Sequence, residues 1–104
     1  MAGKHLAHHV FFTLKERTPE GTAALVAACH KYLHVQPGIV YFAAGPLCAE
    51  LTREVNDLEF DVNLTLVFDS KASHDAYQTD PTHEQFIREN KPTWAKVRVF
   101  DSYV

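Results

Sequence analysis

The sequence is short of the features that commit a chain to a specialised class. Four of its 104 residues are glycine and five are proline, too few and too scattered for a fibrous or disordered chain. It has two cysteines. Cys29 falls in a helical stretch and Cys48 in a loop-like one, with no C-x-x-C spacing and no second pair to make a disulfide framework, so reduced thiols in a cytoplasmic setting are expected. No apolar window approaches the length of a membrane span. Lys4 offers an n-region charge, but His5, His8 and His9 interrupt the apolar run that a signal peptide needs. Positive charge is not in excess either: 10 Lys and Arg against 13 Asp and Glu leave a formal charge of −3. The basic residues are dispersed, so neither nucleic acid nor a membrane is an expected partner.

What is present is the material of one core. Hydrophobic residues make up 46% of the chain and charged residues 22%, and this length has room for a single domain over residues 1–104. Residues Leu6 to Lys15 alternate as a strand, with His8, Val10, Phe12 and Leu14 on one face and His9, Phe11 and Thr13 on the other. Thr18 followed by Pro19 is a helix start, Thr as N-cap and Pro where its missing N–H is harmless, and the helix runs to about His34. Its apolar positions Val26, Cys29 and Leu33 share a face with His30. Gln36-Pro37-Gly38 turns the chain into a second strand, Ile39 to Ala44.

Residues Gly45 to Leu58 show no period and predict a long loop, a lid or a partner contact. Phe60 to Phe68 then give the clearest alternation of the chain, Phe60, Val62, Leu64, Leu66 and Phe68 against Asp61, Asn63, Thr65 and Val67. Asp69 or Ser70 caps a short helix to Gln78. Asp80-Pro81 starts another to about Asn90, and Lys96 to Val104 close as a strand. This order predicts an α+β, ferredoxin-like domain, a four-stranded and mostly antiparallel sheet with helices on one face. The other face carries Phe11, Phe42, Val67 and Phe100, too much apolar surface to leave wet. A second copy packed sheet to sheet is the simplest cover.

Seven histidines are many for this length, and three fall on inward faces. His8 lies on the helix-facing side of the first strand, His30 beside Val26, Cys29 and Leu33, and His83 beside Phe86, Ile87 and Asn90. Polar side chains on apolar faces either satisfy one another or line a cavity. His83 stands at the third position of its helix, where the macrodipole disfavours a positive charge and favours the neutral imidazole a general base requires. Tyr77, ending the preceding helix, is within reach of it. Two readings stay open: the pair hydrogen-bonds and locks the helix junction, or it runs acid–base chemistry on a small carbonyl compound. His8 is either a core histidine bonded to backbone or a third member of that site. His5, His9, His34 and His74 receive no role. His30 and His34, at i and i+4, have no third ligand, and no metal site is expected. Neither cysteine has a setting that would activate it as a nucleophile.

The opening strand His8-His9-Val10-Phe11-Phe12, the segment Ala76-Tyr77-Gln78-Thr79-Asp80-Pro81-Thr82-His83 with Phe86, and the closing strand Val97 to Val104 together resemble the stress-responsive A/B barrel (Dabb) family. The resemblance implies a dimeric α/β barrel made by packing two sheets together, with Phe11, Phe42, Val67 and Phe100 at the interface. The plant polyketide cyclase of that family, olivetolic acid cyclase, has a Tyr and a His at the spacing of Tyr77 and His83 and a strand His matching His8. By the same matching, Val10, Phe12, His30, Leu64, Phe86 and Trp94 line a cofactor-free pocket between sheet and helices. Two positions depart from that pattern: Val62 replaces a second strand histidine and Gln78 an aliphatic pocket residue, so substrate identity does not carry over. The expected function is therefore a homodimeric, stress-related or small-molecule-binding module whose pocket takes a small apolar or carbonyl ligand. The alternative is a cofactor-free, polyketide-cyclase-like enzyme using Tyr77 and His83. A haem or antibiotic-monooxygenase-like activity on the same scaffold has only fold analogy behind it.

Overall fold

The computed structural model describes residues 4–104, so the first three residues of the expected domain lie outside it. The order is β1 (Leu6–Leu14), α1 (Pro19–Leu33), β2 (Ile39–Pro46), β3 (Val62–Phe68), α2 (Lys71–Gln78), α3 (Pro81–Asn90), a 3-10 turn (Lys91–Thr93) and β4 (Trp94–Tyr103). The strands form one antiparallel sheet in the order β2-β3-β1-β4, the ferredoxin-like arrangement expected from the element order.

Each helix begins where the sequence supplies a cap. The Thr18 hydroxyl accepts from the Gly21 N–H, Ser70 from Ser73, and Asp80 from both Thr82 and His83; such caps contribute about 1 kcal/mol each. Only Thr79 separates the end of α2 from the Asp80 cap of α3. That tight corner brings Tyr77, in the last turn of α2, against His83 in the first turn of α3.

The inner face of the sheet is built from the alternation read in β3. Val62, Leu64, Leu66 and Phe68 are at most 2% exposed, and Val10, Phe12 and Leu14 of β1 are also buried. Leu25, Cys29, Tyr32 and Leu33 of α1, Tyr77 of α2 and Phe86 of α3 pack against them. Full burial of such side chains stabilises by about 1.5–3 kcal/mol each before chain entropy is counted. Burial also pushes the Cys29 thiol up to about 12, which keeps it protonated and unreactive.

The helices do not cover the sheet evenly. The main helix-to-sheet contacts put α1 over β2 and β3 and α2 over β3, while α3 packs on α1. The inner side of β4 is left thinly covered: Val97 and Val99 are 40% and 48% exposed.

On the outer face, Phe11 meets Phe60 and Phe100 edge-on, at centroid separations of 4.9 and 5.8 Å; Phe60 departs from the inward row read for it because β3 begins only at Val62 and strand alternation does not reach it. Tyr41 is 56% exposed there and Phe100 54%. Phe42 does not belong to this face. It pairs with Leu66 across the sheet and packs on the core beneath α1. The cause is a register irregularity between Ile39 and Tyr41. A bulge of this kind resets the alternation, so that Ile39 and Phe42, of opposite parity, both turn inward.

The expected loop is present between β2 and β3, and its second half is tied down. The Asp61 carboxylate accepts from the Leu14 N–H and from Arg17 Nε, the Thr13 hydroxyl donates to the Glu59 carbonyl, and Arg98 bridges to Asp57 at 2.7 Å. Residues 57–60 thereby border Phe11, Arg98 and Phe100 on the outer face, a position suited to a partner contact.

Among the described residues, Gly38 is the one glycine whose backbone demands it. Its φ is +86°, and a Cβ there would lie 2.4 Å from the Ser73 side chain, while its carbonyl accepts from the Asp69 N–H. Gly38→Ala should lower unfolding free energy by more than about 1 kcal/mol in chemical denaturation; an unchanged midpoint would show that this turn relaxes freely.

Candidate functional site

Where β4 escapes helical cover, a cavity of 160 Å³ opens between sheet and helices. β1 contributes His8, Val10 and Phe12, β3 Leu64, α2 Tyr77 and Gln78, α3 His83, Phe86 and Ile87, and β4 Trp94, Val97 and Val99. All three residues singled out for acid–base chemistry, His8, Tyr77 and His83, are among these. Of the six expected pocket residues, five line the cavity. His30 does not. It is exposed and stacks edge-on against Phe42 at 5.0 Å, because the buried stripe of α1 runs through Leu25, Cys29, Tyr32 and Leu33 and leaves His30 on its border.

A larger groove of 690 Å³ lies elsewhere, between the start of α1 and Pro46-Leu47. Its charged members Arg17 and Asp61 already pair with each other, and no buried polar group is left open there among the described residues. The smaller cavity differs on this point. His83 Nδ1 and Trp94 Nε1 are buried and have no hydrogen-bond partner among the described residues. Leaving such a group unpaired costs about 1–3 kcal/mol. Tyr77 and His83 lie ring against ring at 4.3 Å, and His83 Nδ1 makes no bond to the Tyr77 hydroxyl. The junction is therefore packed rather than locked through that nitrogen.

Burial lowers the pKa of His83, with His8 acting in the same direction, against the Gln78 backbone beside it and the charges of Asp80 and Glu84. The neutral imidazole is the expected form, and desolvation is the largest cause; the Asp80 carboxylate that caps α3 offsets the helix dipole by favouring the cation. Burial raises the pKa of Tyr77, so its hydroxyl stays protonated and can donate. A protonated phenol and a neutral imidazole in one small cavity can stabilise a developing oxyanion and take up a proton.

His8 has a partner that sequence reasoning did not supply. Asp101 is its cross-strand neighbour, and its carboxylate lies 2.5 Å from His8 Nδ1. Burial nevertheless outweighs Asp101 and lowers the pKa of His8. His74, given no role in the sequence, places its ring 5.1 Å from that of His8 and 5.6 Å from that of Phe68. Both neighbours depend on strand register and helix placement. The parity of β4 alone puts Asp101 on the side of Val97 and Val99.

These shifts have a definite consequence for pH. A histidine whose pKa is lowered on folding contributes its full stability above the unfolded value of 6.5 and loses it as the pH falls through the lower folded-state value. His83 and His8 act in the same direction. In NMR titration His83 should titrate below 6.5, and His83→Gln should flatten the acid-side loss of stability; titration at or above the unfolded value would contradict the desolvated setting.

Comparison with known proteins agrees with this architecture. The family model described as the Stress responsive A/B Barrel Domain matches residues 6–104. No curated protein sequence matches the chain. Among solved structures, a dimeric ferredoxin-like protein of unknown function from Thermobifida fusca superposes with a TM-score of 0.80 at 19% identity, over 98% of this chain and 92% of its own. A Dabb family protein from Mesorhizobium loti gives 0.77 at 20% identity, over 93% of each chain. The hydroxynitrile lyase of Passiflora edulis gives 0.77 at 19% identity, over 98% of this chain and 94% of its own. At these identities the likeness establishes the fold.

Proposed function

Because the chain belongs to the stress responsive A/B barrel domain family, we propose that it acts as a single-domain homodimer, sheet packed on sheet, each subunit holding a small carbonyl compound in the pocket on its helix side. The observation that carries the ligand is the pair of unpartnered buried groups on the cavity wall, His83 Nδ1 and Trp94 Nε1. A carbonyl oxygen accepting from Trp94 Nε1–H would offset the desolvation cost of that group, and the Tyr77 hydroxyl is a second donor on the same wall. The cavity of 160 Å³ is about half the lower end of drug-sized sites, which favours a molecule of few heavy atoms.

The chemistry this arrangement supports needs no cofactor. Neutral His83 takes a proton from the carbon beside the carbonyl. The oxygen gains the resulting negative charge, and the Tyr77 O–H, held protonated by burial, donates to it. His83 then returns its proton to carbon. His8, oriented by Asp101, faces the same cavity as a third polar group. That a neighbour of this fold is a hydroxynitrile lyase supports an enzymatic reading by analogy only. Two free cysteines, one of them exposed, support a reducing, cytoplasmic setting, and no helix among the described residues is long and apolar enough to cross a membrane.

Deuterium uptake tests the chemistry. In D₂O the protein should catalyse exchange at the α-carbon of a small ketone such as cyclopentanone, and His83→Gln should reduce the rate by about 100-fold, with Tyr77→Phe also slower. Exchange no faster than in buffer, together with no detectable binding, would remove the proposal.

The dimer is tested separately. The exposed Tyr41 and Phe100, with Phe11 and Val67, form the apolar outer face, and a second copy would cover it. Sedimentation should find a dimer at micromolar concentration and a folded monomer for Phe100→Lys. A wild-type monomer would contradict the sheet-to-sheet arrangement.

A further inference from the structure

We propose that His8, His74 and Asp101 form a binding site for a late first-row divalent cation of the zinc class. The three come from β1, α2 and β4, and one potential ligand atom from each lies within 4.8 Å of the other two. This convergence joins residues 27 to 93 positions apart in sequence, unlike the i, i+4 pair His30 and His34, which is a local consequence of helical spacing. Zinc bonds of about 2.0–2.2 Å place tetrahedral ligand atoms about 3.3 Å apart. The site must therefore close slightly across His74 and open between His8 Nδ1 and Asp101, now 2.5 Å apart. Asp101 has the freedom for this, with its side chain 43% exposed on the edge strand.

The donor set selects the ion. Two imidazoles and one carboxylate suit zinc, nickel, cobalt or copper, whereas calcium and magnesium prefer oxygen ligands throughout. The outer shell is partly in place as well. The Asp75 carboxylate lies 3.0 Å from His74 Nδ1, the carboxylate–histidine pairing that fixes a metal-binding tautomer. With the proton on Nδ1, Nε2 carries the lone pair for the ion, and the Gln78 amide nitrogen, 3.3 Å away as a donor to that lone pair, must swing aside when the ion binds. Phe68 and Tyr77 flank the His8 ring with apolar surface, which limits competition from water. Three protein ligands leave a position for water or another oxygen donor, the pattern of open rather than closed zinc sites. The site shares His8 with the pocket but does not rest on the acid–base reading of Tyr77 and His83.

Metal binding is its own readout. The full chain, freed of any affinity tag and stripped with chelator, is titrated with Zn²⁺ by calorimetry and with Co²⁺ by visible absorption. The expected result is one ion per chain, weakened by more than about tenfold in His74→Ala, since even an outer-shell partner is worth 10- to 100-fold. Asp101→Asn should weaken binding too, while the double variant His30→Ala/His34→Ala leaves it unchanged. The His74 side chain is only 16% exposed, so circular dichroism of both single variants separates loss of a ligand from loss of the fold. Absence of binding at millimolar Zn²⁺, or binding lost with His30 and His34 but retained without His74 and Asp101, overturns the proposal.

Discussion

The structure depends on one constraint: the inward row of β3, with that of β1 beside it, must be roofed by helices. Val62, Leu64, Leu66 and Phe68 are almost wholly removed from water, and strand parity allows no other element to bury them. α1 supplies most of the roof, α2 and α3 the remainder. Because the strands are two-sided, the same alternation that satisfies the inner face sends Phe11, Val67 and Phe100 outward. An outer face of that composition follows from the core and is not an independent feature.

The cavity follows from where the roof ends. Three helices of 15, 8 and 10 residues cover β2 and β3 better than β4, and the space left beside β4 is walled by the last turn of α2 and the first of α3. The corner at Thr79 therefore sets both the fold and the position of Tyr77 and His83. Burial in that space keeps the imidazole neutral and the phenol protonated, and it leaves two polar groups without partners. A purely structural junction gains nothing from this arrangement, since apolar side chains of the same shape would spare the desolvation cost. Under the proposed function, that polarity serves a ligand.

Much of this was legible in the residues. The period of Val62 to Phe68, the Thr18-Pro19 and Asp80-Pro81 starts, and the alternation of the first and last strands fix the elements because each is a local signal. The Tyr77 and His83 pairing was legible for the same reason, being six residues apart across a predicted helix break. What escaped depends on long-range placement. The bulge that turns Phe42 inward comes from the pairing of β2 with β3. His8 with Asp101 requires the register of β1 on β4, and His74 requires the seating of α2. His30 sat too close to the edge of a helical face for its direction to be settled by spacing. The helix dipole is a local reason to expect a neutral His83, whereas burial, the largest cause of its lowered pKa, needs the finished core.

The central claim is that the cavity holds polar groups in reserve for a ligand, and the single tryptophan of the chain reports on it directly. Trp94 gives one indole N–H resonance in a proton–nitrogen correlation spectrum. Titration with a small ketone should move that resonance downfield as Nε1–H gains an acceptor, saturably and together with the signals of Tyr77 and His83. A resonance that already shows a strong hydrogen bond in the free protein, or one that stays fixed throughout the titration, would contradict the account.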